Sequence, residues 1–187
     1  KEVHLNEIKH QVSGFKAFPE DAEPILFLLQ LFPRLSVKDS KELCQYLRIS
    51  NLDMQLAEFY VSIRNCVESE NLLNVVDLYA WTYFYADTSV WKCLEVLAAG
   101  MCENEKVAFL GKHRERAETL KKHFQRIIDK KPLINAAILH SEGILPGKTM
   151  GLLIKEGERL AILNDFETAA DVLKVLKNTH LWPKHDA

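Results

Sequence analysis

The chain has 187 residues, of which 48% are hydrophobic and 27% charged, the balance of an ordinary globular protein. Its longest apolar run, Ile25 to Leu29, is far short of the ~20 residues that a membrane helix needs, and no signal-peptide pattern opens it. A membrane role is thereby disfavoured, and cytoplasm is the default expectation.

Strand signals are poor, because no Asn-Gly or Asp-Gly turn separates alternating apolar runs. Helix punctuation is frequent. Residues 1–18 are weakly patterned. Pro19 and Pro33 bracket a helix over about 20–32, and Ser36 is placed to cap one over 37–47. Ser50-Asn51-Leu52-Asp53 reads as a capping box opening a helix to about Val67. Asn71 can cap residues 72–86, and Thr88 or Ser89 a helix to about Met101. A long helix over roughly 104–129 ends before Pro132, because proline disfavours helix in the residue preceding it. Helices at about 136–142, 147–164 and 167–178 complete an all-α fold without a sheet. The expected division is a multi-helix body over 1–103 and, over 104–187, the long helix with a helical tail.

The net charge of −2 conceals an asymmetry. Residues 1–105 carry 9 basic and 16 acidic side chains, whereas residues 106–131 carry 9 basic and 3 acidic. On the long helix, Phe109, Leu110, Ala117, Leu120, Phe124, Ile127 and Ile128 fall within one arc of ~100°. Lys112, Arg116, His123, Arg126 and Lys130 fall within a second arc of ~80°, turned ~110° from the first. One apolar face and one basic stripe suit a helix lying along a nucleic-acid backbone, where each paired phosphate releases counterions. His123 would add charge only when protonated. The same pattern also fits a solvated face. A second stripe, Lys148, Lys155 and Arg159, lies on the helix from Gly147, opposite Met150, Leu153, Gly157, Leu160 and Ala161.

Other constellations carry less. Cys44, Cys66, Cys93 and Cys102 form no CxxC and have no histidine at zinc spacing; all four read as buried, reduced thiols. Pro146-Gly147-Lys148-Thr149 suggests a phosphate-binding loop, but Glu142 stands where that motif requires glycine. Gly147 and Gly151 then read as serving a tight turn and close packing. Tyr79, Trp81, Tyr83, Phe84, Tyr85 and Trp91 could stack on bases, although helical spacing favours core. No metal-binding carboxylate pair is marked, and His185-Asp186 reads as a frayed terminus. No catalytic or metal-binding residue is assigned.

One stretch is specific. Pro132-Leu133-Ile134-Asn135-Ala136-Ala137-Ile138-Leu139, then Gly143-Ile144-Leu145-Pro146-Gly147 and Gly151, resembles the tail of bacterial tRNA nucleotidyltransferases and poly(A) polymerases. That family carries P-L-L-x-G-x-D-L-x-x-x-G-[hydrophobic]-x-P-G-x-x-x-G at the same spacing. Leu47-Arg48-Ile49-Ser50-Asn51 resembles its L-R-[hydrophobic]-S-N segment, and Asp77-Leu78-Tyr79 with Ala86-Asp87 resembles the stretch between. Ala136 and Ile138 depart from the family's glycine and aspartate, and the upstream HD metal motif of some members is absent. The resemblance implies a head, neck, body and tail. The magnesium-binding aspartates belong to the head and nucleotide selection to the neck, and neither is recognisable here. Body and tail would then hold RNA, tRNA or another RNA 3′ end, with Lys112, Arg116, His123, Arg126, Lys130, Lys148, Lys155 and Arg159 as the contacts. No cofactor is expected for this segment, and its partners would be RNA and its own head and neck. A helical protein–protein adaptor with no nucleic acid is the competing expectation, which the acidic surplus of residues 1–105 suits.

Overall fold

The computed structural model describes residues 9, 12 and 14–183. Among them are nine α-helices, one short 3₁₀ turn (Phe15–Ala17) and no strand; the fold is all-α. The expectations for most of residues 1–13 and for His185-Asp186 lie outside the described residues. In chain order the helices are α1 (Pro24–Gln30), α2 (Val37–Tyr46), α3 (Asn51–Leu73), α4 (Leu78–Tyr85), α5 (Val90–Ala98), α6 (Glu103–Ile128), α7 (Ala136–Ser141), α8 (Lys148–Leu163) and α9 (Ala169–Leu176). None is long and apolar enough to cross a membrane among the described residues.

Local chemistry sets most of the ends. The Ser36 hydroxyl accepts from the Asp39 N–H at 3.1 Å and donates to the Asp39 carboxylate at 2.8 Å. Ser50 and Asp53 repeat the arrangement at the start of α3, and Thr168 and Asp171 at the start of α9. Each satisfies an orphan helix N–H and places a carboxylate at the positive end of the helix dipole. Asn135 caps α7 by accepting from the Ile138 N–H at 3.0 Å. Asn71 does not cap a helix. It lies inside α3, which runs on to Leu73 and stops where Asn74 turns left-handed, φ 51°, a conformation that asparagine tolerates.

The chain forms two compact units, one of residues 1–77 and 87–116, the other of residues 78–86 and 117–187. This differs from the expected boundary at 103/104. The second unit takes α4 from the middle of the sequence because α4 packs on α8, and α6 contributes to both units. In the first, α1, α2 and α5 pack around α3 over a core that includes Leu26, Leu29, Ala57, Tyr60, Ile63 and Leu94, none of them accessible. Tyr60 donates to the Gln30 side chain at 2.7 Å, so α3 also holds the end of α1. In the second, Ile134, Leu139, Leu153, Ala161, Val172 and Leu176 form the core of α7, α8 and α9.

The thiols divide. Cys44 and Cys93 are buried and Cys66 half-buried, but Cys102 is exposed, contrary to the expectation of four buried thiols. It sits just before α6. Gly147 has φ +155° at the N-cap of α8, a backbone that other residues rarely adopt. Gly151 has no close neighbour where a Cβ would stand, so close packing does not explain it. Gly157 is the residue that packing constrains: a Cβ there would lie 2.8 Å from Ile134 Cγ1.

Candidate nucleic-acid interface

The basic residues of α6 do not form one free stripe. In the first unit, Arg116 grips Glu70 with both guanidinium nitrogens, Nη1 at 2.9 Å and Nη2 at 2.7 Å, and Lys112 pairs with the same carboxylate. Glu70 and Arg116 are 8% and 9% exposed, whereas Lys112 is 52% exposed. Burial works against ionisation of Glu70, but the hydrogen bonds from Arg116 and Lys112 outweigh it and hold its carboxyl down at about 2. Neighbouring His113 is buried, edge-on to Phe109 with ring centroids 4.6 Å apart. Burial chiefly, with Arg116 adding repulsion, lowers its pKa to about 4, so at neutral pH it carries no charge.

In the second unit, His123 is fully buried and cannot meet a phosphate at the surface. Arg126 Nη2 lies 2.9 Å from His123 Nδ1, and His123 Nε2 lies 2.8 Å from Asp165 Oδ1. A guanidinium only donates, so Nδ1 accepts, and the ring proton on Nε2 donates to Asp165. Hydrogen bonds from His123 and then Lys122 keep the Asp165 carboxyl below its ordinary range. Arg126 Nη2 also donates to Glu158 at 3.0 Å. Asp165, His123, Arg126 and Glu158 thus form a continuous polar chain.

That chain ends at a cleft of about 580 Å³, all of whose lining belongs to the second unit. Arg126, Lys130, Lys155 and Glu158 supply its charged wall, three cations against one carboxylate, and Tyr79 and Tyr83 line it from α4. Lys130 takes a left-handed conformation, φ 55°, just past the end of α6. Lys130 and Lys155 are exposed and pair with no carboxylate among the described residues. The two tyrosine rings, i and i+4 on α4, are tilted by 60° with centroids 4.9 Å apart. Their hydroxyls are 3.5 Å apart, long for an O–H···O bond. Tyr83 is 42% exposed, and burial of the phenol, with Tyr79 beside it, raises its pKa above the ordinary tyrosine range.

The remaining sequence candidates lie near other hollows of the same unit. Tyr79 and Lys155 also line a smaller recess of about 140 Å³ with Arg159, whose guanidinium is engaged by Glu156 at 2.7 and 2.8 Å. Lys148, exposed at the first turn of α8, borders a separate hollow with the 143–147 loop. The cleft therefore brings together Arg126, Lys130 and Lys155. It leaves Lys148 apart, and Lys112 and Arg116 belong to the other unit.

The sequence offered Tyr79 and Tyr83 as base-stacking candidates within an aromatic run whose spacing favours core, and it gave Glu158 no role. The aromatic run of α4 divides by face: Trp81 and Tyr85 are buried and stacked on each other at 5.5 Å, while the rings at positions 79 and 83 reach the cleft. The i, i+4 spacing was the available signal. Among the described residues no group of three or more histidine, cysteine or carboxylate side chains is arranged to hold a metal ion. Comparison with protein families, curated proteins and solved structures gives no match to this chain.

Proposed function

We propose that this chain is the RNA-holding part of a template-independent nucleotidyltransferase, one that adds CMP and AMP, or AMP alone, to an RNA 3′ end in the cytoplasm. The sequence resemblance over 132–151 suggests the family. The observation that carries the reading is the cleft, where two lysines unpaired among the described residues, a half-buried arginine and an exposed tyrosine ring adjoin. Phosphate contacts would fix the RNA's position, and catalysis of phosphoryl transfer rests largely on such positioning and on metal electrostatics. Magnesium and its ligands would belong to a head domain outside this sequence, so the chain itself contributes binding and orientation.

The test is RNA binding across a range of salt concentrations. For a single strand, each lysine that meets a phosphate contributes about 0.7 to the log–log slope. Lys130→Ala with Lys155→Ala should therefore weaken binding and flatten the slope by about 1.4. Lys38→Ala with Lys41→Ala is the control, since those lysines lie on α2 in surface pairs with Glu42 and Glu58. Equal behaviour of the two double variants, or no binding at low salt, removes the RNA reading. The adaptor reading then replaces it. Its support is an exposed apolar run at the end of α3, where Leu72, Leu73 and Val75 are 84%, 68% and 67% accessible in the acidic part of the sequence.

A further inference from the structure

The cleft has a feature that phosphate binding does not use. Arg126 Nε and Glu158 Oε2 are buried and have no hydrogen-bond partner within the protein. Glu158 is only 7% exposed and Arg126 16%, yet both side chains line the cleft. Their contact is a single bond from Nη2 to Oε1, so half of a guanidinium–carboxylate fork is unmade. Buried polar groups are nearly always satisfied, and each exception calls for an explanation. The unmade half of this fork leaves a donor and an acceptor in the wall of the cleft without partners.

Beside these atoms stands an aromatic platform. Tyr83 is braced by the tilted Tyr79 ring and is exposed over 42% of its surface. Every nucleobase has a π-face for stacking and presents a donor next to an acceptor on its pairing edge. In a duplex both features are occupied; in an unpaired nucleotide both are available. The cleft volume, about 580 Å³, is within the range of small-ligand sites. The hollow beside Lys148 has that single cation and no aromatic side chain.

We propose that this cleft is a subsite for one unstacked nucleotide of a single-stranded RNA, with its base against Tyr83 and its flanking phosphates on Lys130 and Lys155. The inference rests on the RNA-holding reading and adds to it the strandedness of the RNA and the mode of base contact. Arg126 and Glu158 face the pairing edge of the base, and His123 and Asp165 hold the arginine in position. Every base presents a stacking face and a donor beside an acceptor, so any base is accepted.

The experiment uses a short oligouridylate carrying one central 2-aminopurine, with a hairpin RNA of the same length as comparison. The expected result is tighter binding of the single strand and quenching of 2-aminopurine fluorescence on binding. Tyr83→Ala should weaken binding by about fivefold to a hundredfold with an unchanged salt slope, since no phosphate contact is lost, and should abolish the quenching. Tyr83→Phe should retain both. The subsite is refuted, and the RNA reading survives, if Tyr83→Ala binds like the unaltered chain while Lys130→Ala with Lys155→Ala weakens binding. Should Tyr83→Ala not fold, a lack of quenching with the unaltered chain refutes the subsite. No binding of either RNA at low salt removes both the subsite and the reading beneath it.

Discussion

Replacing Glu70 by glutamine tests whether Lys112 and Arg116 are internal partners or spare cations. The fall of the Glu70 carboxyl from an ordinary 4.5 to about 2 corresponds to about 3 kcal/mol of stability in favour of the ionised form. That is an upper figure, because Lys112 is half exposed and solvent screens its share. Losing the charge also breaks the ion pair between Glu70 and the Arg116 guanidinium, 9% exposed, and breaking a buried pair costs about 3–5 kcal/mol. A loss of about 2–3 kcal/mol at neutral pH is therefore expected for Glu70→Gln. The folded pKa lies below the unfolded one, so the contribution is complete above pH 4.5 and disappears as pH falls through about 2. Urea unfolding followed by circular dichroism should show a gap between Glu70→Gln and the unaltered chain that closes over that window. A neutral-pH midpoint like that of the unaltered chain, or a gap that persists in acid, would refute the clasp. The same reasoning changes what Lys112→Ala with Arg116→Ala can report. It removes two cationic partners of Glu70, so reduced RNA binding by that variant would reflect a damaged first unit as much as lost contacts.

Two further predictions follow from burial. Gly157→Ala gains about 1 kcal/mol of helix propensity but places a methyl 2.8 Å from Ile134 Cγ1, and overpacking of this kind costs about 1–3 kcal/mol; a net loss in thermal unfolding is expected, less than additive with Ile134→Ala, and a gain in stability would show that Ile134 yields freely. His113, with its folded pKa lowered from 6.5 to about 4, makes the native state bind fewer protons than the unfolded chain, so its contribution is complete above pH 6.5 and is lost as pH falls towards 4; an NMR titration of its ring with a midpoint near 6.5 would contradict the burial.

Helix existence was legible because it is written locally. Ser36 and Ser50 could be recognised as caps from the carboxylate three residues on, and both make that bond. The end of α3 was not legible from local signals. Asn71 has the chemistry of a cap, but Glu70 beside it is drawn into the clasp with Arg116, 46 residues away, and the helix continues until Asn74 can turn left-handed. The same limit applies to the stripe. A helical projection fixes the azimuth of Lys112, Arg116, His123 and Arg126, but their carboxylate partners Glu70, Asp165 and Glu158 lie on other elements. α4 shows it again at the level of domains, since it packs with α8, from the far end of the sequence. Tyr79 and Tyr83 were visible as aromatics at helical spacing, but which side of α4 would be covered depends on α8.

A cation already held by a carboxylate adds little to phosphate binding, because the carboxylate must be released or kept nearby, and either course offsets the gain. Of the eight basic candidates, Lys112 and Arg116 share Glu70, Arg126 bonds Glu158, Arg159 bonds Glu156 and His123 is buried on Asp165. Lys130, Lys148 and Lys155 remain exposed without such partners among the described residues, and only Lys130 and Lys155 share a cleft. A continuous stripe of Lys112, Arg116, Arg126 and Lys130 would give a single-strand salt slope of about 2.8, whereas two lysines in one cleft give about 1.4. Binding that depended only on phosphate would then be weak at physiological salt. A non-electrostatic contribution must come from elsewhere in the cleft, and the exposed ring of Tyr83 is the group positioned to supply it. A measured slope near 1.4, with an intercept that falls in Tyr83→Ala, would separate the two contributions; a slope near 2.8 would mean that the clasps open on binding and that the lysines and arginines of the stripe act together.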